Sequence, residues 1–363
     1  MQKIYGFVAE FNPFHNGHKL FIDEIKQKFH PDVLIAVMSG NYVQRGDFAI
    51  LDKWQRARIA VENGVDLVVE LPFAYAVEPA DLFAKGAVML LDRLKVNNLV
   101  FGTETDLNFE SVASQMLKLN MDFRQDYQNN YATNLTEFYK QSGVDVLGYP
   151  NQLLGINYVQ QVLKNAYSMK INTIIRQGSI SATKIRQNFH DGIQIGDLVP
   201  ESSLSALKND KIISWDDSFP YLKYRILSES SPELHRVYQM VEGLENKFKK
   251  EISHDSFSEF LDSVKSKRYT RSRLRRLALY TLMNVYGKEI SAVYEEPYLR
   301  VLGFDQIGQN YLNELRKDSE FIVRVGKNER NTLSLDLKAD SIRKLIDSRE
   351  QNFGKIPFME GKD

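Results

Sequence analysis

Ile4-Tyr5-Gly6-Phe7-Val8-Ala9-Glu10-Phe11-Asn12-Pro13-Phe14-His15-Asn16-Gly17-His18 decides the fold. Ile4 to Ala9 reads as a buried strand, Pro13 marks a turn, and a helix is expected to start near Gly17. That order puts His15 and His18 at a helix N-terminus beside the carboxyl end of a strand. In open α/β sheets ligands dock at that edge, and free amides at a helix start favour anions. Two imidazoles there can donate hydrogen bonds to charge that builds during attack on a nucleotide's phosphorus. Gly17 lets a base or phosphate come close to the backbone. A capped surface helix, or a zinc site, would also use such residues. A zinc site needs a third ligand, and the spacing differs from that of a metal-binding HExxH helix.

Working outward, Val33 to Met38, Asp66 to Leu71 and Leu99 to Gly102 also read as buried strands. Gly17 to Phe29, Asp52 to Asn63 and Pro79 to Leu94 between them have helical periodicity. Helices are further expected over Phe109 to Leu119, Asp122 to Gln141 and Gln152 to Ala166, then a strand over Lys170 to Arg176 and a helix from Ser181. Strands alternating with helices predict an α/β, Rossmann-like parallel sheet. The alternation stops near Gly196, and a polar stretch from Pro200 to Ser218 is the expected boundary between a catalytic domain, 1–200, and a mainly helical one with a few strands, 201–363. In the second half, Tyr221 to Leu227, Pro232 to Lys249, Arg271 to Tyr286 and Ala339 to Asp347 read as helices, and Phe321 to Val325 as strand-like.

With 363 residues, the chain has room for roughly two domains. Lys plus Arg equals Asp plus Glu at 47 each, so any nucleic-acid contact must rest on a local patch. There is no Cys, which removes disulfides and thiolate catalysis and fits a reducing cytoplasm. No apolar run approaches the ~18 residues that span a bilayer, so no membrane role is expected.

Three further segments carry chemistry. Gly178 to Arg186, GSISATKIR, offers Ser181, Thr183, Lys184 and Arg186 at a second helix start, able to hold phosphate or to act as a plain cap. Gly40 to Asp47, followed by Asp52-Lys53-Trp54-Gln55-Arg56, holds Arg45, Lys53 and Arg56, which suit phosphates, a nucleic-acid backbone or a solvated helix face. Lys265 to Arg276 has seven basic residues in twelve and no acid. On a continuous helix Arg268, Arg271 and Arg275 share one sector, flanked by an apolar stripe of Leu274, Ala278, Leu282 and Val285.

The stretches VAEFNPFHNGH, MSGNYVQRGDFAILDKWQRA, DLVVELPFAYAVEPADLFAKGAV and LVFGTE resemble the bacterial tRNA(Met) cytidine acetate ligase family of the HIGH-type nucleotidyltransferase superfamily. PNQLLGINYV, ISATKIR, KRYTRSRLRR, YLRVLGF and, more loosely, LDLKADSI extend the likeness over nearly the whole chain. The resemblance implies a two-step ligase. Acetate attacks the α-phosphorus of ATP, a substrate that binds with Mg2+, to give acetyl-adenylate; the wobble cytidine of elongator tRNA(Met) then accepts the acetyl group on N4. It implies ATP contacts from Phe7, Val8, Ala9, Glu10, Phe11, Asn12, Pro13, Phe14, His15, Asn16, Gly17, His18, Lys19 and Leu20, and from Gly102, Asn151 and Arg176, with His15 and His18 catalytic. Ser181, Thr183 and Arg186 become candidate phosphate contacts, and Lys267, Arg268, Arg271 and Arg275 candidate tRNA contacts. The link Gln177 to Ile180 is shorter than is usual in that family. A nucleotidyltransferase acting on a phosphorylated metabolite, and a catalytically silent RNA-binding protein on the same fold, are the alternatives. The basic segment disfavours the former, and the intact histidines disfavour the latter.

Overall fold

A computed structural model describes residues 2–119, 150–176 and 181–361; the helix expected over 122–141 and the link 177–180 lie outside these residues. Nine strands are present among the described residues: β1 Ile4–Ala9, β2 Val33–Ser39, β3 Tyr42–Val43, β4 Asp47–Phe48, β5 Leu67–Leu71, β6 Asn98–Thr103, β7 Lys170–Ile175, β8 Arg300–Phe304 and β9 Phe358–Met359. Seven form one sheet in the order β7-β6-β1-β2-β5-β8-β9, and β3 and β4 make a separate antiparallel hairpin.

From β7 to β5 the sheet is parallel. Its middle strands are buried on both faces, and β2 is buried at all seven positions. That is why Val33-Leu34-Ile35-Ala36-Val37-Met38 is a continuous apolar run with no polar alternation. Period-two alternation still sorts the side chains. Val33, Ile35 and Val37 pack on one face with Leu67, Val69 and the Ala80–Arg93 helix. Leu34, Ala36 and Met38 pack on the other with Tyr5, Phe7 and the Asn16–Phe29 and Lys53–Glu62 helices. The chain runs outward from β1 through β2 to β5, then returns to β6 on the other side of β1. The crevice at the carboxyl ends of β1 and β6 is therefore the topological switch point.

The second half departs from expectation in five places. Residues 300–304 form β8, which runs antiparallel to β5, so the sheet takes strands from both sides of residue 200. The span 232–249 breaks into Ser231–His235 and Leu244–Glu251, because Gln239, Glu242 and Gly243 between them take left-handed backbone angles. The helix from Arg271 ends at Leu282, ahead of Asn284 at φ 54°. Residues 321–325 contribute a single bridge, from Ile322 to Arg300. The last long helix begins at Ser334, earlier than expected.

A buried ion cluster joins the two halves. Lys53 Nζ donates to Glu70 at 2.8 and 3.0 Å and to Asp340 at 2.6 Å. Arg300 lies 3.4 Å from Glu70, and Asn41 Nδ2 donates to Asp340 at 2.7 Å. Lys53 has no exposed surface, so removing it leaves two carboxylates sharing one buried cation. Lys53→Met should cost about 3–5 kcal/mol of stability, the usual penalty for breaking a buried pair. The exposed pair of Lys344 with Glu350 should contribute at most about 1 kcal/mol. Urea unfolding of Lys53→Met and Lys344→Ala checks both.

Candidate active site

β1 ends at Ala9, and the segment that follows is pinned by donors from three other elements. Arg56 donates to the Glu10 carbonyl at 2.7 Å, Arg186 to the Asn12 carbonyl at 2.6 Å, and the Ile50 amide to Asn12 Oδ1 at 2.9 Å. Phe7, Phe11 and Phe14 are buried, and Phe11 and Phe14 pack against the His18 ring with centroids at 5.0 and 5.6 Å. His15 caps the Asn16–Phe29 helix in extended conformation, and its amide donates to His18 Nδ1 at 3.2 Å. The helix start is fastened from the far side as well: Asn16 donates its amide to Leu198 O and its side chain to Asp197 O, both at 2.9 Å. Lys19 is paired with Asp23, and Leu20 is exposed.

The two imidazoles stack with centroids 3.7 Å apart and rings 23° from parallel. Burial, followed by the charge of Arg176, holds the His15 imidazolium down to about 4. Burial, then His15 and Arg176, holds His18 well below the ordinary imidazole value too. Both rings are therefore neutral hydrogen-bonding groups at neutral pH. His15 Nδ1 is buried and has no hydrogen-bond partner among the described residues. An unpartnered buried polar atom is costly, and one in a ligand crevice is free to meet a ligand.

Other residues expected at the site gather at the same edge. Gly102 lies in β6 opposite Ile174, and a Cβ there would come within 3.1 Å of the Arg176 side chain. Glycine thus lets Arg176 lie across β6 toward the histidines. Asn151, in the first turn of the Pro150–Lys164 helix, is held by Glu104 at 2.5 Å. Ser181 caps the Ala182–His190 helix with its side chain unused, and Thr183 Oγ1 accepts from Arg186 at 3.3 Å. Glu104 and the Asp197–Leu198 carbonyls were missed in the sequence. The Glu of LVFGTE, directly after a strand, was the available signal for Glu104; nothing local marks Asp197.

The basic segments are sorted differently from expectation. Lys53 and Arg56 are fully buried, so they are structural and are corrected from phosphate or tRNA contacts; Arg45 alone of that patch is exposed. Arg268 precedes the cap Thr270 and is off the Arg271–Leu282 helix, so the shared helical sector does not form. Arg268 faces Glu242 at 3.2 Å, Arg271 pairs with Asp262, and Arg275 reaches Asp47 of the β3–β4 hairpin at 3.0 Å. Lys267 is exposed, while Leu274, Ala278, Leu282 and Val285 are buried as expected. Among the described residues no cluster of three or more His, Cys, Asp or Glu could hold a metal, and no helix is long and apolar enough to cross a membrane.

Comparison with known proteins agrees with this geometry. Residues 2–355 match the family described as HIGH Nucleotidyl Transferase. The tRNA(Met) cytidine acetate ligase of Lactobacillus gasseri is 40% identical, covering 98% of this chain and 99% of that protein. Crystal structures of Thermotoga maritima TmcAL, apo and bound with alpha-thio ATP, superpose with TM-scores of 0.88 and 0.87 at 28% identity, covering 99% of each chain.

The depressed histidines have a consequence for stability. Below the ordinary histidine range the unfolded chain binds protons that the folded His15 refuses, so stability falls with pH from about 6.5 to about 4. In an NMR titration the His15 ring signals should stay at their neutral positions down to pH 5. A midpoint near 6.5 would contradict the burial and charge environment described here.

Proposed function

The chain belongs to the HIGH Nucleotidyl Transferase family and, within it, to the tRNA(Met) cytidine acetate ligases, and we propose that it joins acetate to tRNA through acetyl-adenylate. The observation that carries the reading is the convergence of His15, His18 and Arg176 with two helix starts on the crevice between β1 and β6.

ATP binds there as MgATP, the metal arriving on the triphosphate. The backbone from Phe7 to Leu20 lines one wall, with the Phe7, Phe11 and Phe14 side chains serving as its packing. Gly102 and Asn151 line the other wall at the end of β6. A carboxylate oxygen of acetate attacks the α-phosphorus, and pyrophosphate leaves. The neutral rings of His15 and His18 donate hydrogen bonds to phosphate oxygens as charge builds, and Arg176 supplies the compensating positive charge. Ser181, Thr183 and Arg186 bound the site from the second helix start. With no Cys in the chain, and a carboxylate able to attack ATP directly, no acyl-enzyme is required. The exocyclic amine of the wobble cytidine of elongator tRNA(Met) then takes the acetyl group and AMP leaves. The reaction belongs in the cytoplasm, where its tRNA is.

Within 201–363 the tRNA surface consists of exposed Lys267, Arg268 and Arg271, with Arg275 at its inner edge against the hairpin. Their acidic partners are mostly exposed too, so phosphates can compete for these guanidinium groups at little cost.

Incubation with ATP, acetate and total tRNA, followed by nucleoside mass spectrometry, should yield N4-acetylcytidine with matching AMP and pyrophosphate. His18→Ala should slow acetate-dependent pyrophosphate release by about 10²–10³-fold, the cost of losing one such donor. An unchanged rate would remove His18 from the chemistry. Lys267→Ala with Arg271→Ala should weaken tRNA binding and flatten its dependence on salt. An unaltered slope in filter binding would move the tRNA surface elsewhere.

A further inference from the structure

Glu10 is the only acidic residue in the stretch from Ile4 to His18, and phosphate binding has no use for it. A carboxylate beside a triphosphate is repulsive. Yet the structure holds it firmly at the first position after β1. Its carbonyl accepts from buried Arg56, and Oε1 accepts from the Gln44 amide at 2.8 Å. Oε2 has no hydrogen-bond partner among the described residues and is not among the buried atoms left unpaired.

The groups around it come from both sides of the site. Arg186, from the second helix start, and Arg45, from the β3–β4 hairpin, act on its charge together with Arg56. Tyr158, on the Pro150–Lys164 helix, feels the Glu10 charge in turn. Arg186 also braces the histidine loop at Asn12, while the hairpin that carries Arg45 pairs through Asp47 with Arg275 of the tRNA surface. Glu10 thus stands where the nucleotide crevice meets the proposed RNA face.

The second step needs a base in that position. The lone pair of the cytidine N4 amine is delocalised into the ring, so the amine must lose a proton as it attacks. The other candidates are engaged, enclosed or too weak: Asp47 is paired with Arg275, Glu104 holds Asn151 through Oε1 while its unpartnered Oε2 is fully buried, and the two histidines are poor bases in their depressed state.

We propose that the Glu10 carboxylate is the general base of acetyl transfer, receiving the N4 proton on Oε2 as the amine attacks the acetyl carbonyl. The N4–carbon bond forms, and the acyl carbon–oxygen bond breaks with its electron pair staying on the AMP phosphate. The proton passes from N4 to Glu10. Burial pushes the Glu10 carboxyl up, against the opposing pull of the Gln44 amide and of Arg45, Arg186 and Arg56, which makes it a stronger base than an ordinary carboxylate. The assignment rests on the acetate-ligase reading, and its test separates the two.

Synthetic acetyl-adenylate and saturating tRNA bypass activation, and N4-acetylcytidine is followed in single turnover across pH 5 to 8. Glu10→Gln keeps an acceptor for the Gln44 amide, and melting curves report its fold. The wild-type rate should fall toward low pH as the carboxylate is protonated. The Gln variant should be slower by about 10²-fold or more and should lose that acid limb, with tRNA affinity retained, while Glu10→Asp recovers part of the rate. A Gln variant that transfers at the wild-type rate, or slowly with the acid limb intact, overturns the base role. Wild-type enzyme that cannot transfer from acetyl-adenylate at all overturns the ligase reading first, and the base role with it.

Discussion

The carboxyl edge of a parallel sheet leaves strand-end carbonyls that no neighbouring strand can pair, and buried carbonyls must find donors. Arg56 is the donor on which this edge depends. Fully buried, it donates to the carbonyls of Glu10, Ser39, Gly40 and Leu51, joining the ends of β1 and β2 to the start of its own helix. Burial pulls its guanidinium down to about 9, which still leaves it charged at neutral pH. With Arg186 on Asn12, two guanidinium groups fix the backbone of the loop that delivers His15 and His18. A site anchored this way is preorganised, so donors meet developing charge without having to be ordered first.

The same edge is held by residues beyond 200. Lys53 lies one turn before Arg56, and its partners Glu70 and Asp340 come from β5 and the Ser334–Asp347 helix. β8 supplies Arg300 to the same cluster. The hairpin of β3 and β4 is gripped from the other side: Trp215 Nε1 donates to Gly46 O at 2.9 Å, and Arg275 pairs with Asp47. A Cβ on Gly46 would come within 2.4 Å of the Arg276 amide nitrogen, so the hairpin docks directly on the backbone of the basic helix. The proposed nucleotide crevice and the proposed RNA face therefore share a wall, as transfer between two substrates requires.

The five parallel strands were legible because their apolar runs are local and continuous, and the histidine loop because a strand, a turn and a helix start follow one another within fifteen residues. Long-range burial was not legible. Lys53 and Arg56 sit on a helix whose composition reads as a solvated face, and partners outside that helix, from Glu70 and Ser39, each 17 positions away, to Asp340, 287 away, turn that face inward. β8 was missed although Val301-Leu302-Gly303-Phe304 is apolar, because the run is short and is preceded by a helical stretch. The break in 232–249 depends on left-handed angles at Gln239 and Glu242, residue types that do not announce them. Arg268 was placed on a helix by spacing alone, whereas the cap Thr270 fixes where that helix begins.

The central claim is that an acetate oxygen attacks the α-phosphorus of ATP in the β1–β6 crevice. It is tested most directly by running the full reaction with acetate labelled in both oxygens with ¹⁸O and weighing the AMP. The account predicts AMP carrying one ¹⁸O atom, because the attacking oxygen stays on phosphorus when the acetyl group leaves. Unlabelled AMP, or label found in inorganic phosphate alongside ADP, would contradict it.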